Sequence, residues 1–276
     1  MAENSSCSGN CGSCSENCSS RETGSMLEPA GEYNSISRVY AVVSGKGGVG
    51  KSTVTSMLAV TLARRGYKVG ILDADITGPS IPKAFGINSR AMQNELGILP
   101  AQTKGGIKII SVNMMLEDET SPVIWRGPVI AGAVRQFWHD VVWGELDYLL
   151  VDCPPGTGDV PLTVFQSLPL DGAFVVTSPQ DLVSLIVKKA LNMAEMMKIP
   201  VCGIIENMSY VRCPDCGHEF PVFGNGAKSL ADETGVPLLA KLPIDTELTR
   251  LADCGLMENY SGDYLERAAD AIAIEK

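Results

Sequence analysis

The stretch RVYAVVSGKGGVGKST, residues 38–53, joins an apolar run to a glycine-rich turn and then to the start of a helical pattern. Residues 45–52 satisfy the spacing G-x-x-x-x-G-K-[ST] of a nucleotide phosphate-binding loop. They also lie between a predicted strand and a predicted helix, as such a loop requires. Glycines let consecutive backbone N–H groups turn inward around an anion, and the helix N terminus adds a positive partial charge. A glycine-rich turn that matches by accident is rare in this context, so we predict a nucleotide site.

The predicted nucleotide-binding residues run through the whole loop and into the helix. They are Gly45, Lys46, Gly47, Gly48, Val49, Gly50, Lys51, Ser52 and Thr53. Lys51 can reach the β- and γ-phosphates, and the Ser52 hydroxyl can ligate Mg²⁺. Lys51 and Lys46, a second lysine at the start of the loop, are also candidate catalytic residues. A solvated loop lysine is the alternative for Lys46.

Short apolar runs alternate with amphipathic stretches over the rest of the chain. The runs KVGILDAD, IKIISVN, DYLLVDCPP, GAFVVTSP, VCGIIENM and PLLAKLP predict further buried strands. Helical patterns lie between them, in GKSTVTSMLAVTLARRG, GPVIAGAVRQFWHDVVW, PQDLVSLIVKKALNMAEMMK and SGDYLERAADAIAIEK. This alternation predicts a doubly wound α/β fold with a mostly parallel sheet and helices on both faces. Residues 78–106, rich in Gly, Pro and Asn, predict a long loop.

Two acidic segments follow predicted strands. LDADITGPS offers Asp73 and Asp75, and YLLVDCPPGTGD places Asp152 directly after an apolar run. Because the carboxyl ends of parallel strands meet at the phosphate-facing edge of the sheet, Asp75 and Asp152 are candidate catalytic residues that position water and Mg²⁺. Gly156, in the turn that follows, is predicted to sense the γ-phosphate through its backbone N–H. Either aspartate alone would also fit a strand-end cap.

Composition limits the classes of protein to which the chain can belong. The chain has 276 residues, 45% of them hydrophobic, and 22 Lys plus Arg against 32 Asp plus Glu give it a net charge of −10. That balance gives no general attraction to nucleic acid or to anionic lipid. The sequence contains neither an apolar run of about 18 residues nor a secretory signal, so we expect a cytoplasmic protein without a membrane partner. Nine cysteines in a reducing compartment favour metal or redox chemistry.

Composition divides the chain into two regions, each with its own cysteines. Residues 1–35 are predicted to be a flexible Cys-rich segment, and residues 36–276 a nucleotide-binding ATPase domain with a C-x-x-C insertion at about 209–225. The N-terminal cysteines are spaced C-x3-C-x2-C-x3-C and are candidate metal ligands: Cys7, Cys11, Cys14 and Cys18. Four thiolates in one segment can enclose an iron–sulfur cluster, while a zinc site or an unmetallated redox-sensitive tail are the alternatives.

Several motifs together resemble one family. GKGGVGKST, LDADITGPS, VIWRGP, VDCPPGTGD, ENMSY, C-P-D-C and LPID are similar to the Mrp/ApbC family of P-loop iron–sulfur cluster carriers over residues 36–276. The resemblance implies a homodimeric ATPase that binds and slowly hydrolyses ATP with Mg²⁺. It also implies a [4Fe–4S] cluster delivered to apo-proteins, with cluster scaffold proteins as further partners. Asn207 would recognise adenine. KGGVGKST resembles the deviant Walker A signature of the MinD, ParA and nitrogenase iron-protein class, in which the lysine at the position of Lys46 reaches the partner's nucleotide.

The segment VRCPDCGHEF, residues 211–220, provides only two thiols, those of Cys213 and Cys216. A four-iron cluster normally needs four thiolate ligands. Two copies of the segment meeting across a twofold axis would supply them, so we predict one bridging cluster per dimer. The remaining cysteines, Cys153, Cys202 and Cys254, fit small buried apolar positions better than ligand positions.

Two other functions compete with a cluster carrier. The first is a spatial-organisation ATPase of the MinD or ParA type. A membrane-cycling version would need a basic amphipathic terminal helix, and the actual end, GDYLERAADAIAIEK, is acidic. The second is a zinc-bound interaction module in which CPDCGH is a partial zinc ribbon.

Overall fold

A computed structural model describes residues 27–75, 80–115, 127–179, 182–222 and 226–274. The four N-terminal cysteines lie outside these residues, so the prediction of a metal site there is not tested. In chain order the elements are β1 Ser35–Ser44, α1 Lys51–Arg64, β2 Val69–Asp73, α2 Ser80–Ala84, β3 Met92–Asn94, β4 Gly97–Leu99, β5 Ala101–Gln102, β6 Lys108–Ser111, α3 Gly127–Asp140, β7 Glu145–Asp152, α4 Asp159–Ser167, β8 Gly172–Thr177, α5 Leu182–Met196, β9 Val201–Arg212, β10 Glu219–Phe220, α6 Gly226–Thr234, β11 Leu238–Pro243, α7 Thr246–Asp253 and α8 Glu266–Asp270.

The described strands form one large sheet and a separate two-stranded hairpin. The order in the large sheet is β10-β9-β8-β1-β7-β2-β6-β5, and β11 pairs with β9. Most pairs are parallel, whereas β5 and β10 at the ends of this order run antiparallel to their neighbours. β1 therefore lies in the middle, between β7 and β8, and the loop that follows it opens at the centre of the carboxyl edge. The predicted fold class is confirmed.

Two apolar layers cover the two faces of the sheet. One layer contains buried residues of α3, α4 and α5, such as Phe137, Val164 and Val187. The other contains buried residues of α1, α2, α7 and α8, such as Leu58 and Leu251. Because both faces are covered, the central strands are apolar along their whole buried length instead of alternating with polar residues. No helix in the described part of the chain is long and apolar enough to cross a bilayer.

The prediction of a long loop at 78–106 was wrong. Within this range the structure has α2, the β3–β4 hairpin and the edge strand β5. The side chain of Asn94 accepts hydrogen bonds from the backbone N–H groups of Leu96 and Gly97, which closes the hairpin turn. Gly97 has a φ of 141°, and Ile98 is buried. The Asn and Gly residues that suggested a loop therefore form a tight turn between short strands.

Residues 27–34 belong to the ordered domain, although the sequence analysis placed them in the flexible segment. The carbonyl oxygen of Glu28 accepts a hydrogen bond from the Trp138 ring N–H at 3.0 Å. The Asn34 side chain donates to the carbonyl oxygen of Val141 and accepts from the N–H of Trp143, both at 2.8 Å. These bonds fasten the segment to the end of α3, and they are made by polar groups that have no periodic sequence signature.

Candidate functional site

The predicted phosphate-binding loop joins β1 to α1. Gly48 and Gly50 have φ values of 79° and 80°, the left-handed region in which a side chain is unfavourable. A methyl group added at Gly50 would also collide with the amide nitrogen of Asn207. Lys46 is exposed, and its carbonyl oxygen accepts a hydrogen bond from the Ser44 hydroxyl at 3.1 Å. The loop is thus a tight turn at the N terminus of a buried helix, the geometry that binds anions.

Asp152 is the centre of a buried polar network at the start of α1. Its side chain is fully buried at the end of β7, and the ammonium of Lys51 lies 2.6 Å from its Oδ2 atom. Ser52 donates to the same oxygen at 2.6 Å, and Thr55 donates to the other oxygen at 2.6 Å. Asp75 is the second carboxylate near Lys51, at 3.6 Å. The structure therefore brings together the lysine, the hydroxyl and both carboxylates that the sequence selected.

The charges of this network determine the protonation state of the lysine. Burial by itself would lower the pKa of Lys51, but the neighbouring carboxylates Asp152 and Asp75 outweigh that effect and raise it. The ammonium therefore stays charged in a site that is almost completely closed to water. A fixed positive charge there can neutralise phosphate oxygens without a loss of orientation.

A third carboxylate, that of Asp73, behaves differently. It lies next to Asp152 in the paired strands β2 and β7. Burial, followed by the charge of Asp152, raises the pKa of Asp73 to about 8. Its oxygens accept hydrogen bonds from the Ser111 hydroxyl at 2.8 Å and from the N–H of Asp75 at 3.1 Å. Asp73 is consequently protonated at neutral pH, which lowers the negative charge of the site.

Three residues of this site were missed by sequence analysis: Thr55, Ser111 and Asn113. The Asn113 side chain donates to the carbonyl oxygen of Asp75 at 3.0 Å. Thr55 lies one helical turn after Lys51, and this i, i+4 spacing is a signal that could have identified it. Ser111 is the last residue of β6 and Asn113 follows it, and only the pairing of β6 with β2 brings them to the carboxylates.

Two further predicted nucleotide contacts have protein partners. The N–H of Gly156 donates to the carbonyl oxygen of Ser44 at 2.8 Å, so a sensing role requires this bond to be exchanged. The Asn207 side chain is buried and donates to the carbonyl oxygen of Val49 at 2.9 Å. Asn207 is thus positioned against the phosphate loop, and its contact with adenine stays a prediction.

The predicted cysteine pair lies in the turn of a hairpin formed by the end of β9 and by β10. The N–H of Cys213 donates to the carbonyl oxygen of His218, and the N–H of Gly217 donates back to that of Cys213, both at 2.9 Å. Hydrogen bonds from the backbone N–H groups of Cys216 and Asp215 lower the pKa of the Cys213 thiol. Cys216 is exposed and Cys213 is partly exposed. The turn thus presents two thiols to solvent and stabilises one of them as the thiolate that binds metals.

The other described cysteines are far less suited to bind a metal. Cys153 is fully buried, and burial raises the pKa of its thiol. Burial also raises the pKa of Cys202, to about 11. Cys254 is exposed at the end of α7, so its predicted burial was wrong. Among the residues that the structure describes, no three His, Cys, Asp or Glu side chains are grouped to hold a metal ion. One hairpin therefore offers half of a four-thiolate site.

Comparison with known proteins shows the family of the chain. The family model described as ParA, NUBPL iron-transfer P-loop NTPase, matches residues 35–274. An iron–sulfur cluster carrier protein of Clostridium perfringens is 46% identical over 269 residues, which cover 91% of this chain and 94% of the relative. One of Methanocaldococcus jannaschii is 48% identical over 264 residues, which cover 93% of this chain and 90% of the relative.

Solved structures show the same relationship. A nucleotide-binding protein of Archaeoglobus fulgidus in complex with ADP superposes with a TM-score of 0.75 at 47% identity, covering 84% of this chain and 91% of that one. The cell division ATPase MinD of Pyrococcus furiosus superposes with a TM-score of 0.62 at 20% identity, covering 86% of this chain and 98% of that one. The likeness to MinD concerns the fold alone.

Proposed function

The chain belongs to the NUBPL iron-transfer P-loop NTPases, and we propose that it is an ATP-hydrolysing carrier that binds an iron–sulfur cluster and transfers it to apo-proteins. One observation carries the proposal. The same domain holds a phosphate loop with a buried lysine–carboxylate network and, in a separate hairpin, an exposed thiol pair with a stabilised thiolate. A spatial-organisation ATPase would need the first site but not the second.

At the nucleotide site, Lys51 would neutralise the β- and γ-phosphates of ATP. The Ser52 hydroxyl would ligate Mg²⁺, and its bond to Asp152 supports a role of this carboxylate in orienting the water shell of the ion. Asp75, 3.6 Å from the Lys51 ammonium, would position the attacking water. We expect slow turnover, because the residue that would complete the site, Lys46, acts on the partner's nucleotide only after a dimer closes.

At the cysteine site, Cys213 and Cys216 would bind the cluster that is the cargo of the protein. A [4Fe–4S] cluster takes four thiolates, and each hairpin supplies two. We therefore propose a homodimer in which the two hairpins hold one cluster between them. The N-terminal cysteines would bind a further iron–sulfur cluster, with a zinc site or an unmetallated tail as the alternatives.

The proposal includes partners and a compartment. The recipients would be apo iron–sulfur proteins, and scaffold proteins would supply the cluster. The acidic chain offers no general attraction to nucleic acid, and a cytoplasmic location would keep the thiols reduced.

The test is metal and sulfide analysis of the full chain purified without oxygen. The carrier requires iron and acid-labile sulfide in equal amounts and a dimer whose formation depends on the cluster. Cys213→Ser and Cys216→Ser should each remove the bridging cluster and its transfer to an apo-acceptor, while ATP hydrolysis persists. Cys254→Ser, an exposed cysteine outside the hairpin, is the matched control. Tight zinc without sulfide would support the zinc module. A monomer that lacks residues 1–26 and still holds a full cluster would refute the shared site.

A further inference from the structure

The pairing of strand β9 with β11 is irregular in the second half of β9. Glu206 pairs with Lys241 of β11, and the next pairing is Tyr210 with Pro243. Three residues of β9 therefore stand opposite one residue of β11. Met208, in the middle of the three, has a φ of 55°. Extra residues on one strand of a pair form a β-bulge, which bends the strand and turns its side chains toward new neighbours. We call residues 206–209 the β9 bulge.

The β9 bulge lies against the phosphate-binding loop. The Asn207 side chain donates to the carbonyl oxygen of Val49 at 2.9 Å. The Met208 methyl group is 3.7 Å from the position that a Cβ atom would take at Gly50. Asn207 thus bonds to the loop directly, and Met208 lies beside it. If the loop shifts when it closes around phosphates, these contacts would move the residues of the bulge.

A buried carboxylate holds the β9 bulge from within. Glu206 and Ser209 are 1% and 6% exposed, and the Ser209 hydroxyl donates to Oε2 of Glu206 at 2.6 Å. The ammonium of Lys241 lies 3.5 Å from the same oxygen. A buried carboxylate is stable only when it is hydrogen-bonded or paired, so these contacts fix the shape of the bulge. The short bond between residues 206 and 209 closes the bulge on itself.

The same strand leads without interruption to the cysteines. After the bulge, the carbonyl oxygen of Tyr210 accepts a hydrogen bond from the N–H of Ile244 at 2.8 Å, and β9 ends at Arg212. Cys213 follows immediately. At about 3.3 Å per residue, the six residues from Asn207 to Cys213 span at most roughly 20 Å, since the bulge bends the strand. One continuous strand therefore contacts the nucleotide loop at one point and carries the thiol pair at its end.

We infer that the β9 bulge couples occupancy of the phosphate loop to the geometry of the cysteine hairpin, and that Glu206 and Ser209 are the positioning residues that make this coupling possible. The inference rests on the proposed function, since it takes the loop as the nucleotide site and Cys213 and Cys216 as the cluster thiols. The hydrogen bond between Ser209 and Glu206 would be made in one arrangement of the bulge and broken in another. Ligands at either site can shift the balance between two such arrangements.

The experiment measures the rate at which Cys213 and Cys216 are alkylated by iodoacetamide in the reduced, cluster-free full chain, with and without Mg-AMPPNP. Peptide mass spectrometry reports each thiol separately. In the wild type the nucleotide should change the rate by about fivefold or more, the lower end of ordinary coupling between sites. Ser209→Ala, which removes only the hydroxyl, should bring the ratio close to one while nucleotide affinity stays within about threefold of the wild type. Ser209→Thr, which keeps the hydroxyl, should restore the ratio.

Thr234→Val is the matched control, because its hydroxyl donates to the carbonyl oxygen of Leu230 in α6 and lies outside the bulge. It should retain the wild-type ratio. Glu206→Gln should give an intermediate ratio, since the amide can still accept the Ser209 bond but loses the pairing with Lys241. A wild-type ratio in Ser209→Ala, or a ratio of one in a wild type that binds the nucleotide, would overturn the inference. Absence of nucleotide binding or of any reconstituted cluster would instead refute the proposed function.

Discussion

Replacing Asp73 with asparagine should make the domain more stable, and the gain should grow as the pH rises. The Asp73 carboxyl is fully buried beside Asp152, which raises its pKa to about 8 from an ordinary value of 3.8. An amide has nearly the shape of the protonated carboxyl. Its oxygen can still accept from the N–H of Asp75, and its nitrogen can donate to the Ser111 hydroxyl, so Asp73→Asn keeps both contacts.

The sign follows from which state binds the proton. Between pH 3.8 and about 8 the folded protein holds a proton on Asp73 that the unfolded chain has released. Stability contributed by the protonated carboxyl is therefore complete below the lower value and is lost as the pH rises toward the upper one. Each pKa unit corresponds to about 1.4 kcal/mol, so the cost to the wild type is about 4 kcal/mol at pH 7 and about 1.6 kcal/mol at pH 5. Asn removes this dependence.

Urea unfolding at pH 5, 6, 7 and 8 without nucleotide or Mg²⁺ measures the effect. The free-energy difference between Asp73→Asn and the wild type should grow by about 2–3 kcal/mol from pH 5 to pH 7. Asp232→Asn, an exposed aspartate on α6, is the control and should show no such growth. If the two curves for Asp73→Asn and the wild type run parallel over this range, Asp73 is ionised in the folded protein and the argument is wrong.

Three further outcomes can be measured. Lys51→Ala should abolish ATP hydrolysis and lower the free energy of unfolding by about 3–5 kcal/mol, because it leaves buried carboxylates without their cation; unchanged turnover would remove the nucleotide-site assignment. Gly50→Ala should lower the free energy of unfolding by at least about 1–2 kcal/mol, because the backbone there is left-handed, and it should weaken nucleotide binding. Gly132→Ala, inside helix α3, should be neutral or stabilising. Deletion of residues 1–26 should leave a folded, ATP-competent domain, and it should lower the iron content if these residues bind a cluster. Further deletion of residues 27–34 should lower the melting temperature, because their hydrogen bonds near the end of α3 are lost.

The sequence predicted the local parts of the site well. The order strand, glycine loop, helix is encoded within sixteen consecutive residues, so β1, the loop and α1 follow from spacing alone. Asp75 and Asp152 were found because carboxylates directly after apolar strands must lie at one edge of a parallel sheet. The C-x-x-C turn was equally visible. Their geometry agrees with these predictions, while their chemical roles stay predictions.

What depends on strand register was not predictable in the same way. Ser111 reaches Asp73 only because β6 pairs with β2, and nothing near either residue indicates that pairing. The bond of Ser209 to Glu206 depends on a bulge that contains no glycine, the residue that would have indicated a bulge in the sequence. The β3–β4 hairpin was missed because its turn residues are the same types that occur in loops. The contacts of Ser111 and Ser209 thus depend on how strands pair, which composition and periodicity do not reveal.

The two sites differ in how firmly they are held, and the difference suits a carrier. Asp152 and Lys51 form a buried ion pair supported by hydroxyls, which fixes their geometry. The base of the cysteine hairpin is fastened by an ion pair between Arg212 and Glu219, both about half exposed, and such pairs contribute about 0–1 kcal/mol. With this exposed ion pair and its backbone hydrogen bonds, the hairpin is held less firmly than the buried site. In the proposed shared site, a second hairpin would supply the other two thiols, and separation of the two hairpins would release the cluster. If the inferred coupling through β9 holds, the exposed hairpin is the end of the strand that would move more, because the ion pair at the nucleotide site is buried.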